Sequence, residues 1–121
     1  MAEDPVFRRA GISYIEIPAS DPQRAAAFYR EVFGWRVDTG RSDPSFQDGT
    51  GHVIGHFVSD VASAAEAGIR PYIYVDSVAE TIERIMSKGG TVIKDPYPEG
   101  NLTVARFTDP AGNLLGIWQR T

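Results

Sequence analysis

Two histidines, one glutamate and one arginine are the side chains in this sequence best equipped for chemistry. His52 and His56 stand four positions apart in an apolar-rich run, 51–58, that reads as a strand. Alternate strand residues share a face, so His52, Ile54 and His56 are expected on one side and Val53, Gly55 and Phe57 on the other. With Glu16, the two imidazoles would make an improvised metal site of the two-imidazole, one-carboxylate kind. Glu16 alone is a candidate general base. Arg70 suits a carboxylate or phosphate on a ligand. Against these stand plainer readings: a solvated histidine pair, and a salt bridge between Glu16 and Arg70.

Other chemistries find no footing. The chain has no cysteine, hence no disulfide, thiol nucleophile or thiolate metal site. Both histidines fall in one strand and no serine sits on a nucleophile turn, so a Ser-His-Asp arrangement is not expected. Gly89-Gly90 belongs to a helix end, not to a phosphate loop. Asp21 and Asp76 read as helix caps, and Asp109 as part of a Pro-Gly turn.

Composition narrows the partners. The 121 residues carry 16 acidic and 12 basic side chains, a net charge of −4, with no Lys/Arg cluster to neutralise phosphates. A nucleic-acid partner is therefore not expected. No apolar run approaches the ~18 residues a membrane span needs, and Met1–Pro5 does not resemble a signal peptide. A membrane partner is not expected, and a cytoplasmic location is.

The positioning elements come in two copies. Ile12–Ile17 is an apolar-rich run followed by Asp21, an amphipathic stretch and Gly34; Tyr72–Val75 is followed by Asp76, a similar stretch and Gly89. The aspartate and glycine are 13 positions apart in both copies, and the copies are offset by 55. Ala25, Phe28, Tyr29, Val32 and Phe33 recur at helical spacing as the buried stripe of the first helix. Trp35 reads as a packing anchor or dimer contact.

Strands are expected at 11–17, 35–39, around 45–47 and at 51–58, then at 70–75, 91–94, 102–108 and 113–119. The second helix should run from about Val78 to Lys88, and Pro96, Pro98 and Gly100 should fall in a loop. The order βαβββ–βαβββ predicts an α+β fold: two tandem modules forming a curved mixed sheet around a cleft, helices outside. The expected organisation is an arm at 1–10, a first module at 11–58, a linker at 59–69 and a second module at 70–121.

The run ISYIEIPASDPQRAAAFYREVFGW and the ending FTDPAGNLLGIWQ resemble the vicinal-oxygen-chelate superfamily, which includes glyoxalase I, bleomycin-resistance proteins and extradiol dioxygenases. The resemblance spans residues 11–119 and rests most firmly on Phe28-Tyr29, Phe33-Gly34-Trp35 and Asp109-Pro-x-Gly-Asn113. It implies four side chains pointing into the cleft, which hold a divalent metal in the metalloenzymes. The first, third and fourth fall at Tyr14, Arg70 and Gly116; the second falls at Gly55, or at His56 after a one-residue slip. Arginine has no lone pair to give, glycine no side chain, and neutral tyrosine ligates poorly. The usual metal centre, and any other cofactor, is therefore expected to be absent.

From the same mapping, Glu16 should face the cleft beside Tyr14, Tyr72 and Tyr74 beside Arg70, and Leu114 and Trp118 beside Gly116. Aromatic surfaces with a few polar groups suit a small organic ligand, aromatic or carboxylate-bearing. Three functions compete: a small-molecule binder without metal, a glyoxalase-like lyase or isomerase using the improvised metal or Glu16, and a purely structural role. The resemblance also implies a homodimer, in which the modules of one cleft come from one chain or from two.

Overall fold

In the first half, β1 (Tyr14–Pro18), α1 (Pro22–Phe33), β2 (Arg36–Asp38), β3 (Ser45–Gln47) and β4 (Ile54–Val58) follow in order. The computed structural model describes residues 6, 9–10, 12–60, 62–63 and 68–120. The chain divides into two compact units, Met1–Ala62 and Ser63–Thr121. Most of the expected arm at 1–10, and part of the linker at 59–69, lie outside the described residues.

α1 begins where its cap predicts. Asp21 Oδ1 accepts from the Arg24 N–H at 3.2 Å, and Pro22 takes the first helical position, where no N–H is needed. Gly34 ends the helix at φ 71°, a left-handed turn that costs glycine little, and its N–H donates to Arg30 O. Ala25, Ala26, Phe28, Tyr29 and Val32 are buried. The Tyr29 ring stacks on Trp35 at 4.7 Å and on Phe57 at 5.6 Å, and Trp35 stacks on Phe46 at 5.0 Å. Trp35 is thus a packing anchor. Such aromatic contacts add about 0.5–1.5 kcal/mol each beyond the area they bury.

The first sheet has the order β1-β4-β3-β2, with β1 and β4 parallel and the other pairs antiparallel. Ile17, Phe46 and Phe57 are buried on the face that packs on α1. Gly55 is on that face too. A Cβ there would run into the Ile15 carbonyl and come within 2.6 Å of the Phe46 ring.

The second unit repeats the plan: β5 (Tyr72–Tyr74), α2 (Val78–Ser87), β6 (Thr91–Glu99), β7 (Leu102–Thr108) and β8 (Leu114–Arg120). Its sheet order is β5-β8-β7-β6, again with one parallel pair, β5 with β8. Ala105, Phe107, Leu115 and Ile117 are buried in register on one face. Each unit is therefore a βαβββ module, a mixed four-stranded sheet with one helix. The α+β class and the tandem modules are as expected.

Several boundaries differ from the expectation, each for a local reason. α2 is capped by Ser77, not Asp76: Ser77 Oγ accepts from the Glu80 N–H at 3.2 Å. Gln119 Oε1 also accepts from the Val78 N–H at 2.7 Å. β4 starts at Ile54, not Gly51, because Asp48 folds the preceding residues into a turn. Its Oδ1 accepts from the N–H of Gly51 and Val53 and from Thr50 Oγ1, at 3.0, 3.3 and 2.8 Å.

β5 covers only Tyr72–Tyr74, which leaves Arg70 in exposed coil before it. β6 is the largest surprise, since Pro96 and Pro98 lie inside a nine-residue strand and not in a loop. It is an edge strand with two register shifts, the setting where proline's missing donor costs the ladder least.

The Asp109 turn is as expected. Asp109 is 3% exposed, and its carboxylate accepts from Ala111 N, Asn113 N and Asn113 Nδ2 at 2.9–3.0 Å.

Candidate functional site

The pairing of β1 with β4 decides which side chains can act together in the first unit. Tyr14 pairs with Ile54, and Glu16 with His56. Paired residues share a face, so Tyr14, Glu16, Ile54 and His56 lie together on the face without a helix. Gly55 lies on the other. Of the two residues weighed for the second position, His56 is the one that shares Tyr14's face.

Tyr14 and His56 meet directly. The phenol oxygen is 2.7 Å from His56 Nδ1, and the rings are 5.9 Å apart. Where the phenol donates, Nδ1 is the acceptor and the imidazole proton sits on Nε2. The two open onto a hollow of ≈ 630 Å³, whose polar lining comes from Arg36, Asp38, Ser45 and Gln47. Close by, Arg41 Nε donates to Asp43 Oδ1 at 2.8 Å. That hydrogen bond holds the Asp43 carboxyl below the usual carboxylate range and raises Arg41.

His52 does not share the strand face of His56, because it sits in the Asp48 turn ahead of β4. Among the described residues, no three of His, Asp and Glu stand close enough to hold a metal ion. His52, His56 and Glu16 are thus not brought together as the improvised site requires.

In the second unit, Cα pairing sorts the helix-free face into rows. One row runs Tyr72, Gly116, Arg106, Lys94 across β5, β8, β7 and β6; the next runs Tyr74, Trp118, Val104, Tyr97. Leu114 follows in a row with Thr108 and Thr91. Tyr72 and Tyr74 are 40% and 48% exposed, so neither is a core residue. Tyr74 meets Trp118 edge-on at 4.8 Å.

Gly116 is covered by the Tyr72 ring: a Cβ built there would be 2.8 Å from Cζ and nearer still to Cδ2 and Cε2. The strand cation beside Gly116 is Arg106. Sequence reasoning missed it because the alternation of β7 alone does not say which residue meets Gly116 across the ladder.

The family resemblance points to four metal-ligand positions, expected from the sequence at Tyr14, Gly55 or His56, Arg70 and Gly116. Neither the phenol and imidazole of the first unit, already bonded to each other, nor the permanent cation and bare backbone of the second fit a divalent ion, which wants three or more oxygen, nitrogen or sulfur donors. The Tyr72 ring also fills the space a longer side chain at 116 would need.

The profile of the Glyoxalase/Bleomycin resistance protein/Dioxygenase superfamily matches residues 11–117. A glyoxylase-like domain-containing protein of Didymella fabae is 36% identical over 119 residues, covering 90% of this chain and 93% of that one. The chain matches 47% of the length of putative glyoxylases from Mycobacterium bovis and Mycobacterium tuberculosis.

Among solved structures, a glyoxalase/bleomycin resistance protein/dioxygenase family enzyme from Burkholderia phytofirmans PsJN is similar with a TM-score of 0.76 and 24% identity. The match covers 93% of this chain and all of that one. An antibiotic binding protein from Streptomyces sp. CB03234 is similar with a TM-score of 0.70 and 20% identity, covering 93% and 97%.

Proposed function

The chain belongs to the Glyoxalase/Bleomycin resistance protein/Dioxygenase superfamily, and from that membership we propose that it binds a small organic molecule without the divalent metal centre of the family's metalloenzymes. The observation that carries this reading is Gly116 beneath the ring of Tyr72, at the position where the family's fourth metal ligand would stand. Recognition then falls to the faces without helices. One offers the Tyr14–His56 pair in a hollow of ≈ 630 Å³, a volume within the ~300–1,000 Å³ range of ligand pockets, with Glu16 beside His56 on the same face. The other offers Tyr72, Tyr74, Leu114 and Trp118 beside its cations.

The ligand class is aromatic or carboxylate-bearing. That a fold relative from Streptomyces is an antibiotic binding protein supports a binding role. A homodimer and a cytoplasmic location complete the proposal; light scattering checks the first. No helix among the described residues is long and apolar enough to cross a membrane.

Isothermal titration against planar aromatic and carboxylate-bearing metabolites tests the binding role. Saturable heat with at least one class supports it, and none with any class sinks it. A second reading is a glyoxalase-like lyase or isomerase with Glu16 as general base. It is favoured by the pairing of Glu16 with His56, which sets a carboxylate and an imidazole side by side. Turnover of the methylglyoxal–thiol adduct, abolished in Glu16→Gln, would establish it over simple binding.

A further inference from the structure

Arg106 and Lys94 are direct cross-strand partners on the helix-free face of the second unit. Neither makes an ion pair within that unit among the described residues, although Lys94 Nζ lies 5.2 Å from the centre of the Tyr97 ring. Like charges directly opposite one another in a sheet are destabilising. Asp95 follows Lys94 within β6 but has no cross-strand partner, and Glu99 pairs with Leu102 in the row of Arg120; among the described residues neither acid forms an ion pair with the two cations. One step along the strands is an aromatic row, Tyr74, Trp118 and Tyr97. On β5, β8 and β7 that step is two residues, about 7 Å, and on β6, across a register shift, it is three.

We infer that this face of the second unit is an anion-recognising surface, with Arg106 and Lys94 holding the carboxylate, sulfonate or phosphate of an aromatic ligand. The inference rests on the metal-free binding reading and deepens it by naming the cations and the charge of the ligand. Arg106 offers a planar fork of donors suited to two oxygens, and Lys94 a point charge beside it. The planar part of the ligand lies against Trp118 and Tyr74, where an aromatic contact adds to the charge-assisted hydrogen bonds. Arg70, expected from the sequence to play this part, lies outside the strand and has no place in either row.

Two probes of similar shape and different charge test the assignment: 1-anilinonaphthalene-8-sulfonate and uncharged N-phenyl-1-naphthylamine. Each is titrated by fluorescence against the wild type, Arg106→Gln, Lys94→Gln and Arg70→Gln. The wild type should bind the sulfonate at least about tenfold more tightly than the neutral probe, the size of a charge-assisted hydrogen bond. Arg106→Gln should abolish that preference, Lys94→Gln reduce it and Arg70→Gln leave it, with the neutral probe unaffected throughout.

Equal affinities, with Arg106→Gln silent, would overturn the inference and leave metal-free binding standing. A loss specific to Arg70→Gln would overturn it in favour of that residue. Failure to bind either probe would overturn the binding reading as well. Should Arg106→Gln fail to fold, Lys94→Gln and a salt titration of the wild type decide. Sulfonate affinity indifferent to salt between about 0.05 and 0.5 M contradicts anion recognition, because exposed charges are screened over that range.

Discussion

The ring of Tyr72 lies on the bare backbone of Gly116, its direct partner in the parallel pairing of β5 with β8. A side chain at 116 must displace that ring. Because Tyr72 is 40% exposed, the ring can swing away, so the cost is moderate. Gly116→Ala should lower stability by about 1 kcal/mol, at the low end for overpacking. In a Tyr72→Ala background the same change should be nearly neutral, since the cycle removes the shared contact. Denaturant unfolding of the four proteins checks it.

Gly55 is a stricter case. A Cβ there meets the Ile15 carbonyl as well as the Phe46 ring, and backbone cannot step aside as a half-exposed ring can. Gly55→Ala should cost about 2–3 kcal/mol or more. Equal losses for the two glycine variants in urea would contradict this difference.

What could be read in the chain tracks how local its cause was. Asp21, Gly34 and Asp109 act on backbone within a few residues, and helix start, helix stop and turn all stand where their chemistry predicted. The module order was equally legible, because it repeats. His52 was misplaced because the three hydrogen bonds of Asp48 turn the chain before β4 begins, which strand alternation cannot foresee. Pro96 and Pro98 suggested a loop because their tolerance in β6 depends on its being an edge, a property of the whole sheet. Arg106 was invisible for the same reason: its neighbours Gly116 and Lys94 are met only across the ladder.

Asp109 anchors the β7–β8 turn through three hydrogen bonds while almost wholly buried. Asp109→Ala strands buried N–H groups as well as deleting a charge-assisted network. A loss of about 2–4 kcal/mol is expected, readable as a fall in the denaturant midpoint.

The Arg41–Asp43 pair sets a pH expectation. The hydrogen bond from Arg41 keeps Asp43 ionised to lower pH in the folded protein than in the unfolded chain. Its contribution to stability is therefore present above the ordinary carboxylate range and is lost as pH falls through the lower folded value. Both groups are exposed, so the effect is small and weakens with salt. A carbon-detected NMR titration should show Asp43 titrating below an ordinary aspartate, and Arg41→Gln should return it to the usual range.

The central claim is that recognition proceeds without a coordinated ion. Its most direct test is calorimetric titration of an aromatic, carboxylate-bearing binder before and after exhaustive chelation, with metal content measured on the same unchelated sample. The account predicts sub-stoichiometric metal and one affinity in both titrations. One divalent ion per chain, with binding lost on chelation and restored by adding the ion back, would contradict it.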